Sequence, residues 1–468
     1  LAAYIFSSTR FTAAPWHLIA LQEEFKESRL STVPDFSSYL QLEDRLFREL
    51  QKKGYREGAG PGSNFNRYRT GSLSDPSGYE VNWNRSFELP VDNPRGGVLM
   101  LHGLTDSPYS MRALAEKLHR AGFWVIGLRL PGHGTIPVEL TGVRWEDWAT
   151  AVGIGARHLR KAIGREPPLY LVGYSTGAAL SVEYSLQKLT DEKMPMPAGL
   201  VLLSPAIGLP PVAALAKMQL ALAALPGLGK LEWESVMMEY DPYKYNSFPV
   251  NAGVQIHLLT KRIQSMMESC KKNGTLLRFP KVLVFQSIVD ATVLPKAVIE
   301  KFLNRLPSEK NRLVLFDVNR RALAEGMLMG NVDTLRTRLL HSVDLPFDLD
   351  LVSNVDTTSD AVHVLQKKAM EGTVTEIPLS LSWPRGIYSL SHVALPFPPD
   401  DPIYGEAPMS ERSKTIRLGN LALRGERGVL AIGGQQLMRL RYNPFFSYMS
   451  DQVEHFFDKT NWGNDGQN

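Results

Sequence analysis

The chain reads as a doubly wound α/β protein whose sheet is mostly parallel. Short apolar runs, "GGVLMLHG", "FWVIGL", "LYLVG", "GLVLLSPA" and "KVLVFQS", recur along its middle. Helical stretches such as "SMRALAEKLHRAG" and "EDWATAVGIGARHLRKAIG" separate them. Runs that are apolar throughout, rather than alternating, suit strands buried on both faces, and the helices between them supply the crossovers that parallel strands need.

Taken in order, residues 15–53 carry helical periodicity in "HLIALQEEF" and "YLQLEDRLFREL", until "GYREGAGPGSNFN" breaks it. "YEVNWNRSFEL" alternates like an exposed strand, and "GGVLMLHG" is the first buried one. Gly122 stops the helix that follows. After "GLVLLSPA" the alternation is interrupted from about Ile207 to Phe279 by an apolar helix and the aromatic-rich "LEWESVMMEYDPYKYNSFP", expected to form a lid over the carboxyl ends of the strands. A second interruption, near 319–374, includes the strand-like "LPFDLDLVSN" and has no assigned place in the sheet, while "SDAVHVLQKKAM" reads as helix. The expected division is a helical N-terminal extension at 1–65, a core at 66–206, the lid at 207–279, a second part of the core at 280–405 and C-terminal strands with a helix at 406–468.

Composition narrows the class. The hydrophobic fraction of 44% and charged fraction of 21% are those of a globular protein with a sizeable core. A formal net charge of +4, spread along the chain, argues against nucleic acid as a partner. The single cysteine, Cys270, rules out an internal disulfide and any cysteine-based zinc site, and reads as structural. The opening "LAAYIFSSTRF" could be the end of a signal anchor, which would make the protein membrane-associated or exported. Compartment and oligomeric state are otherwise open.

The chemistry is concentrated in "LVGYSTGAAL". Gly173-Tyr174-Ser175-Thr176-Gly177 fits the nucleophile elbow, G-x-S-x-G, between a strand and a helix. Glycine is needed two positions on either side because the turn is too tight for side chains there, and Ser175 is expected to be strained and exposed at the helix N-terminus. A serine hydroxyl needs a base, and in this architecture the order along the chain is serine, acid, histidine. Asp290, just past "KVLVFQS", is the expected acid, with Asp317 and Asp356 as competitors near later strands. Among His341, His363 and His392, the last lies in a loop after the strand-like "EIPLSLSW" and is the expected base. The backbone amides of Leu104 and Thr176 would form the oxyanion hole, with Gly103 allowing close approach.

With "LMLHGLTDSPYSMRALAEKLHRAGFWVIGLRLPGHG", "LVGYSTGAAL", "KVLVFQSIVDATV" and "SLSHVALPF" the chain resembles the α/β-hydrolase superfamily, nearest its monoacylglycerol-lipase, lysophospholipase and serine-aminopeptidase-like branch, over roughly residues 80–400. The resemblance implies an α/β-hydrolase fold and cofactor-free, metal-free cleavage of a small-molecule carboxylic ester by a Ser175–His392–Asp290 triad through an acyl-enzyme. An apolar monoester is the expected substrate. Acyltransferase or amidase chemistry on the same triad, or a non-catalytic binding role, are the alternatives. In one respect the chain departs from the pattern: Asp290 and His392 are 102 positions apart (392 − 290), much farther than is usual.

Overall fold

The computed structural model describes residues 14–55, 63–191, 193–207, 229–307, 311–321, 331–408, 414–419 and 439–461. The first residues, the "PPVAALAKMQLALAALPGL" part of the expected lid and the expected strands around Gly425 lie outside them. Among the described residues no helix is long and apolar enough to cross a membrane.

Ten strands form one sheet: β1 (Phe87–Leu89), β2 (Gly97–Leu101), β3 (Trp124–Leu128), β4 (Leu169–Tyr174), β5 (Gly199–Leu203), β8 (Lys281–Ser287), β9 (Asn311–Phe316), β10 (Asp348–Asn354), β11 (Ala361–Lys367) and β12 (Val374–Ser382). A separate antiparallel pair, β6 (Trp233–Ser235) and β7 (Phe248–Pro249), stands apart. The order across the large sheet is β1-β3-β2-β4-β5-β8-β9-β10-β11-β12. From β3 to β10 all neighbours are parallel, so their carboxyl ends share one edge. β1, β11 and β12 are added antiparallel. This is the α/β-hydrolase architecture.

Both faces are covered, which is why the central strands are apolar throughout. On one face Leu99, Leu171, Leu200, Val284 and Leu313 pack against α1 (Phe36–Lys53), α3 (Trp145–Ile163), α4 (Thr176–Lys188) and α5 (Val250–Lys272). On the other, Val98, Val172, Val201, Phe285 and Val314 meet α2 (Tyr109–Arg120) and the C-terminal α8 (Phe446–Asn461). Burying a Leu or Val side chain contributes roughly 1.5–3 kcal/mol, so this double-sided layer dominates the stability. The stacking of Tyr170 on Phe457, with ring centroids 3.9 Å apart, ties the far end of the chain to β4.

Within the expected helical N-terminal extension the described residues form short 3₁₀ turns at Pro15–His17 and Glu27–Arg29 and one longer helix. The longer helix, α1, is capped by Asp35, whose carboxylate accepts from the Ser38 amide at 2.8 Å. At and between the upstream turns some backbone amides are taken by distant carboxylates: Leu21 donates to Glu139 at 2.7 Å and Glu27 to Asp147 at 2.7 Å. "YEVNWNRSFEL" yields only three residues of strand, because Asn82 accepts from the Asn84 amide and turns the chain there.

The second interruption completes the sheet. After α6 (Pro295–Lys301) and β9, the chain forms α7 (Asn331–His341) and then β10, β11 and β12 in succession. "AVHVLQK" is β11 rather than helix, with His363 paired across to Ser353. Its Val-x-Val alternation buries Val362 and Val364 once β10 offers an edge. β12 is largely exposed and carries Pro378, as suits an edge strand.

The extension is locked by a buried ion cluster. Arg129, at the end of β3, holds Glu24 at 3.0 Å and Glu43 at 2.6 Å, and all three are buried. Arg129→Met is expected to destabilise the fold by about 3 kcal/mol, since it leaves two carboxylates buried without a counter-ion. The triple change with Glu24→Gln and Glu43→Gln should recover most of that loss. Denaturant unfolding of the two variants measures both effects.

Candidate active site

β4 ends at Tyr174 and α4 begins at Thr176, so a single residue turns the chain. That residue, Ser175, has φ 52° and ψ −108°. Its amide is held by the Leu203 carbonyl at 2.8 Å, which fixes the turn against β5. A Cβ on Gly173 would collide with the Gly177–Ala178 backbone, and one on Gly177 with the Leu101 and His102 carbonyls. The glycine spacing is therefore a steric requirement here. Two other non-glycine residues with left-handed φ lie at the same sheet edge, Thr105 at 65° and Ser204 at 45°. Such conformations cost on the order of 1–3 kcal/mol each and persist where surrounding structure enforces them.

Ser175 is 8% exposed, contrary to the expectation of an exposed nucleophile. The segments at 240–246 and 393–404 stand over this edge, and Tyr245 donates its amide to the Thr105 carbonyl at 2.8 Å. Burial of this kind limits competing water at the hydroxyl.

The structure brings the three side chains expected from the sequence together. Ser175 Oγ lies 3.2 Å from His392 Nε2, and His392 Nδ1 lies 2.8 Å from Asp290 Oδ2. An ionised carboxylate only accepts, so the proton resides on Nδ1 and leaves Nε2 to accept from the serine. The competing residues are elsewhere. Asp317 is consumed by Arg320 at 2.6 Å and Ser353 at 2.8 Å, and Asp356 accepts from the Thr358 amide in an exposed turn. His341 ends α7 facing solvent, and His363 lies on β11 beside Glu376 at 3.5 Å.

The long acid-to-histidine interval has a geometric cause. β10, β11 and β12 zigzag outward, and β12 ends at the same edge as the parallel strands. The loop after it then returns across the ends of the neighbouring strands, pinned where Asn319 donates its amide to Tyr388 at 2.7 Å and its side chain to Ile387 at 2.9 Å. Ser391, bonded to the Leu440 carbonyl, completes the approach to His392.

Two polar residues around the acid were not singled out from the sequence. Ser204 Oγ donates to Asp290 Oδ2 at 2.7 Å and Gln286 Nε2 to the same oxygen at 3.0 Å, while the amides of Thr292 and Val293 donate to Oδ1 at 2.8 Å each. Burial pushes this carboxyl up, but His392, the Val293 amide and Ser204 together hold it below the usual carboxylate range. Gln286 and Ser204 end adjacent strands, and only the pairing of β5 with β8 makes them neighbours.

The loop after β2 passes beside the serine. Gly103 is obligatory there, since a Cβ would stand 2.6 Å from Asp106 Oδ2 and 2.9 Å from the Tyr174 ring. The Leu104 amide and the Thr176 amide at the first turn of α4 have no acceptor among the described residues. His102 braces the loop: Nδ1 donates to the Gly103 carbonyl at 2.9 Å and Nε2 accepts from the Leu130 amide at 3.0 Å. Burial keeps that imidazole neutral, far below its ordinary value. Among the described residues no group of His, Cys, Asp and Glu is arranged to hold a metal ion.

Residues 92–320 match the Hydrolase_4 family model, serine aminopeptidase S33. Over this span the chain is similar to the monoacylglycerol-lipase and serine-aminopeptidase-like branch of the α/β hydrolases. The chain is 33% identical over 124 residues to the thermostable monoacylglycerol lipase of Bacillus sp. (strain H-257), a stretch covering 26% of this chain and 46% of that protein. It thus spans about half the length of this curated relative. Among solved structures, it is similar to one from work on the metagenome-derived lipolytic enzymes LipS and LipT, at 26% identity over 50% of this chain and 88% of that one, with a TM-score of 0.40. The monoacylglycerol lipase of Paleococcus ferrophilus gives 20%, 50%, 88% and 0.38 for the same quantities.

Ser204→Ala removes one donor from the Asp290 carboxylate and raises its pKa. Because the ionised form is the one that supports His392, the loss falls on the acid side. Activity is expected to drop about tenfold, as befits a hydrogen bond to a charged group, and the acid limb of the pH–rate profile should move to higher pH. Steady-state rates at several pH values check both.

Proposed function

We propose that the hydrolase cleaves carboxylic esters through an acyl-enzyme on Ser175. The observation that carries this reading is the continuous hydrogen-bonded line from Ser175 Oγ through His392 to Asp290, at 3.2 and 2.8 Å. His392 Nε2 takes the serine proton as Oγ attacks the ester carbonyl, and Asp290 stabilises the imidazolium. The amides of Leu104 and Thr176 receive the charge that develops on the carbonyl oxygen. His392 then gives its proton to the departing alcohol, and a water activated by the same imidazole releases the acid.

An apolar monoester is the proposed substrate class. The name of the Bacillus relative, a monoacylglycerol lipase, supports it. So does the aromatic wall beside the site, made by Tyr240, Tyr245, Phe397 and Tyr404. The matched family is described as serine aminopeptidase, and peptide-like amides therefore belong in the test.

Hydrolysis of p-nitrophenyl esters across acyl lengths is compared between the intact protein, Ser175→Ala and His392→Ala. Both variants are expected to lose at least about 10³-fold in kcat/KM while retaining their thermal melting profile. Aminoacyl p-nitroanilides should be turned over more slowly than the esters; the reverse order would make the protein an amidase. A fluorophosphonate should label Ser175, and a folded protein in which it labels nothing would overturn the reading.

A further inference from the structure

A cleft of about 90 Å³ opens beside this line of residues, bounded by Asp106, Lys244, Val393, Tyr404, Arg439 and Arg441 among others. Its place follows from the chain: Val393 is next to His392, and Asp106 follows the loop that carries Leu104. Among the described residues three cations and one carboxylate face it. Lys244 is neutralised by Asp106, with Nζ 2.6 Å from Oδ1. Arg441 is partly screened by a buried acid, its Nη1 3.9 Å from Asp241 Oδ2, and it approaches the Tyr240 hydroxyl at 3.4 Å. No carboxylate among the described residues pairs with Arg439. Burial holds the Tyr174 phenol far above its ordinary value, helped by Asp106 and Asp290, and Arg439 is the charge that opposes them, so its field reaches the residue before the nucleophile.

The cleft therefore keeps a surplus of positive charge beside an aromatic wall. Arg439 is exposed and Arg441 half-buried, and a guanidinium presents a planar fork that matches the oxygens of a carboxylate or phosphate. The side of the substrate that meets it is set by the histidine. His392 delivers a proton to the departing oxygen, so the alcohol half lies on the histidine's side, where Val393 begins the cleft wall.

We propose that this cleft is a subsite for an anionic group, a carboxylate or a phosphate monoester, carried on the alcohol half of the ester. The proposal rests on the ester-hydrolase reading above and adds a charge requirement to it. The acyl half remains apolar, and Arg439 is the specificity-determining residue, backed by Arg441.

The test uses three acetate esters of matched size: 4-acetoxybenzoate, 4-acetoxyphenyl phosphate and the neutral 4-acetoxybenzamide, with acetate release as the common readout. The anionic esters are expected to exceed the neutral one about tenfold in kcat/KM, mainly through KM, and that ratio should collapse in Arg439→Gln and be partly retained in Arg439→Lys. Whichever anionic ester is preferred identifies the group as carboxylate or phosphate. A ratio near one, or one insensitive to Arg439→Gln, overturns the subsite. If none of the esters turns over, calorimetric titration of Ser175→Ala with 4-hydroxybenzoate and 4-hydroxyphenyl phosphate decides separately. Binding that weakens about tenfold on adding Arg439→Gln upholds the subsite while the ester-hydrolase reading falls, and no difference overturns the subsite as well.

Discussion

Gly177 stands where α4 passes over β2, so near that a side chain would run into the carbonyls of Leu101 and His102. This close approach is the constraint on which the rest of the site depends. It forces the turn from strand to helix into one residue, which puts Ser175 in a strained conformation and aims its hydroxyl over the sheet edge. It also sets the first turn of α4 beside the loop after β2, which carries Leu104. Ser204 and Thr105 carry comparable backbone strain at the same edge. A rigid layer of strands buried on both faces holds these conformations in place, which flexible loops alone could not.

The base reaches that edge by an indirect route. Three further strands after β9 carry the chain to the far edge of the sheet before the loop at 383–391 brings it back. The return loop is fastened to Asn319 at the end of β9 and to Leu440 near the C-terminal helix. His392 is thus positioned by elements far apart in sequence. Its acid partner is held more locally, in a turn whose own amides clamp one carboxylate oxygen while Ser204, Gln286 and His392 share the other. Holding that carboxyl below its usual range despite burial keeps the line of hydrogen bonds polarised toward the serine.

Around this centre the charges are divided by function. The Arg129–Glu24–Glu43 cluster is sealed and fastens the N-terminal segment to the core, with one guanidinium bonded to both carboxylates. The groups near the cleft are not fully matched among the described residues, because Lys244 and Asp106 pair with each other and no described carboxylate pairs with Arg439. The buried cluster contributes to holding the fold together, and the charge of Arg439 is the one proposed to meet an anionic group.

The sequence by itself determined the parts that depend on local rules. Runs of Val, Ile and Leu between helices imply a doubly wound sheet, and the glycine spacing around Ser175 implies the elbow, since both are steric statements about neighbouring residues. The order of serine, acid and histidine, with the strand-end place of Asp290 and the loop context of His392, set these two ahead of Asp317, Asp356, His341 and His363 as expectations. What only the tertiary structure decided depends on pairing between distant segments. "AVHVLQK" looks helical until β10 offers it an edge, "HLIALQEEF" looks helical until its amides meet Glu139 and Asp147, and Ser175 looks exposed until two later segments close over it. Ser204, Gln286 and Arg439 carry no motif, and each becomes notable only through the groups that the folded chain places beside it.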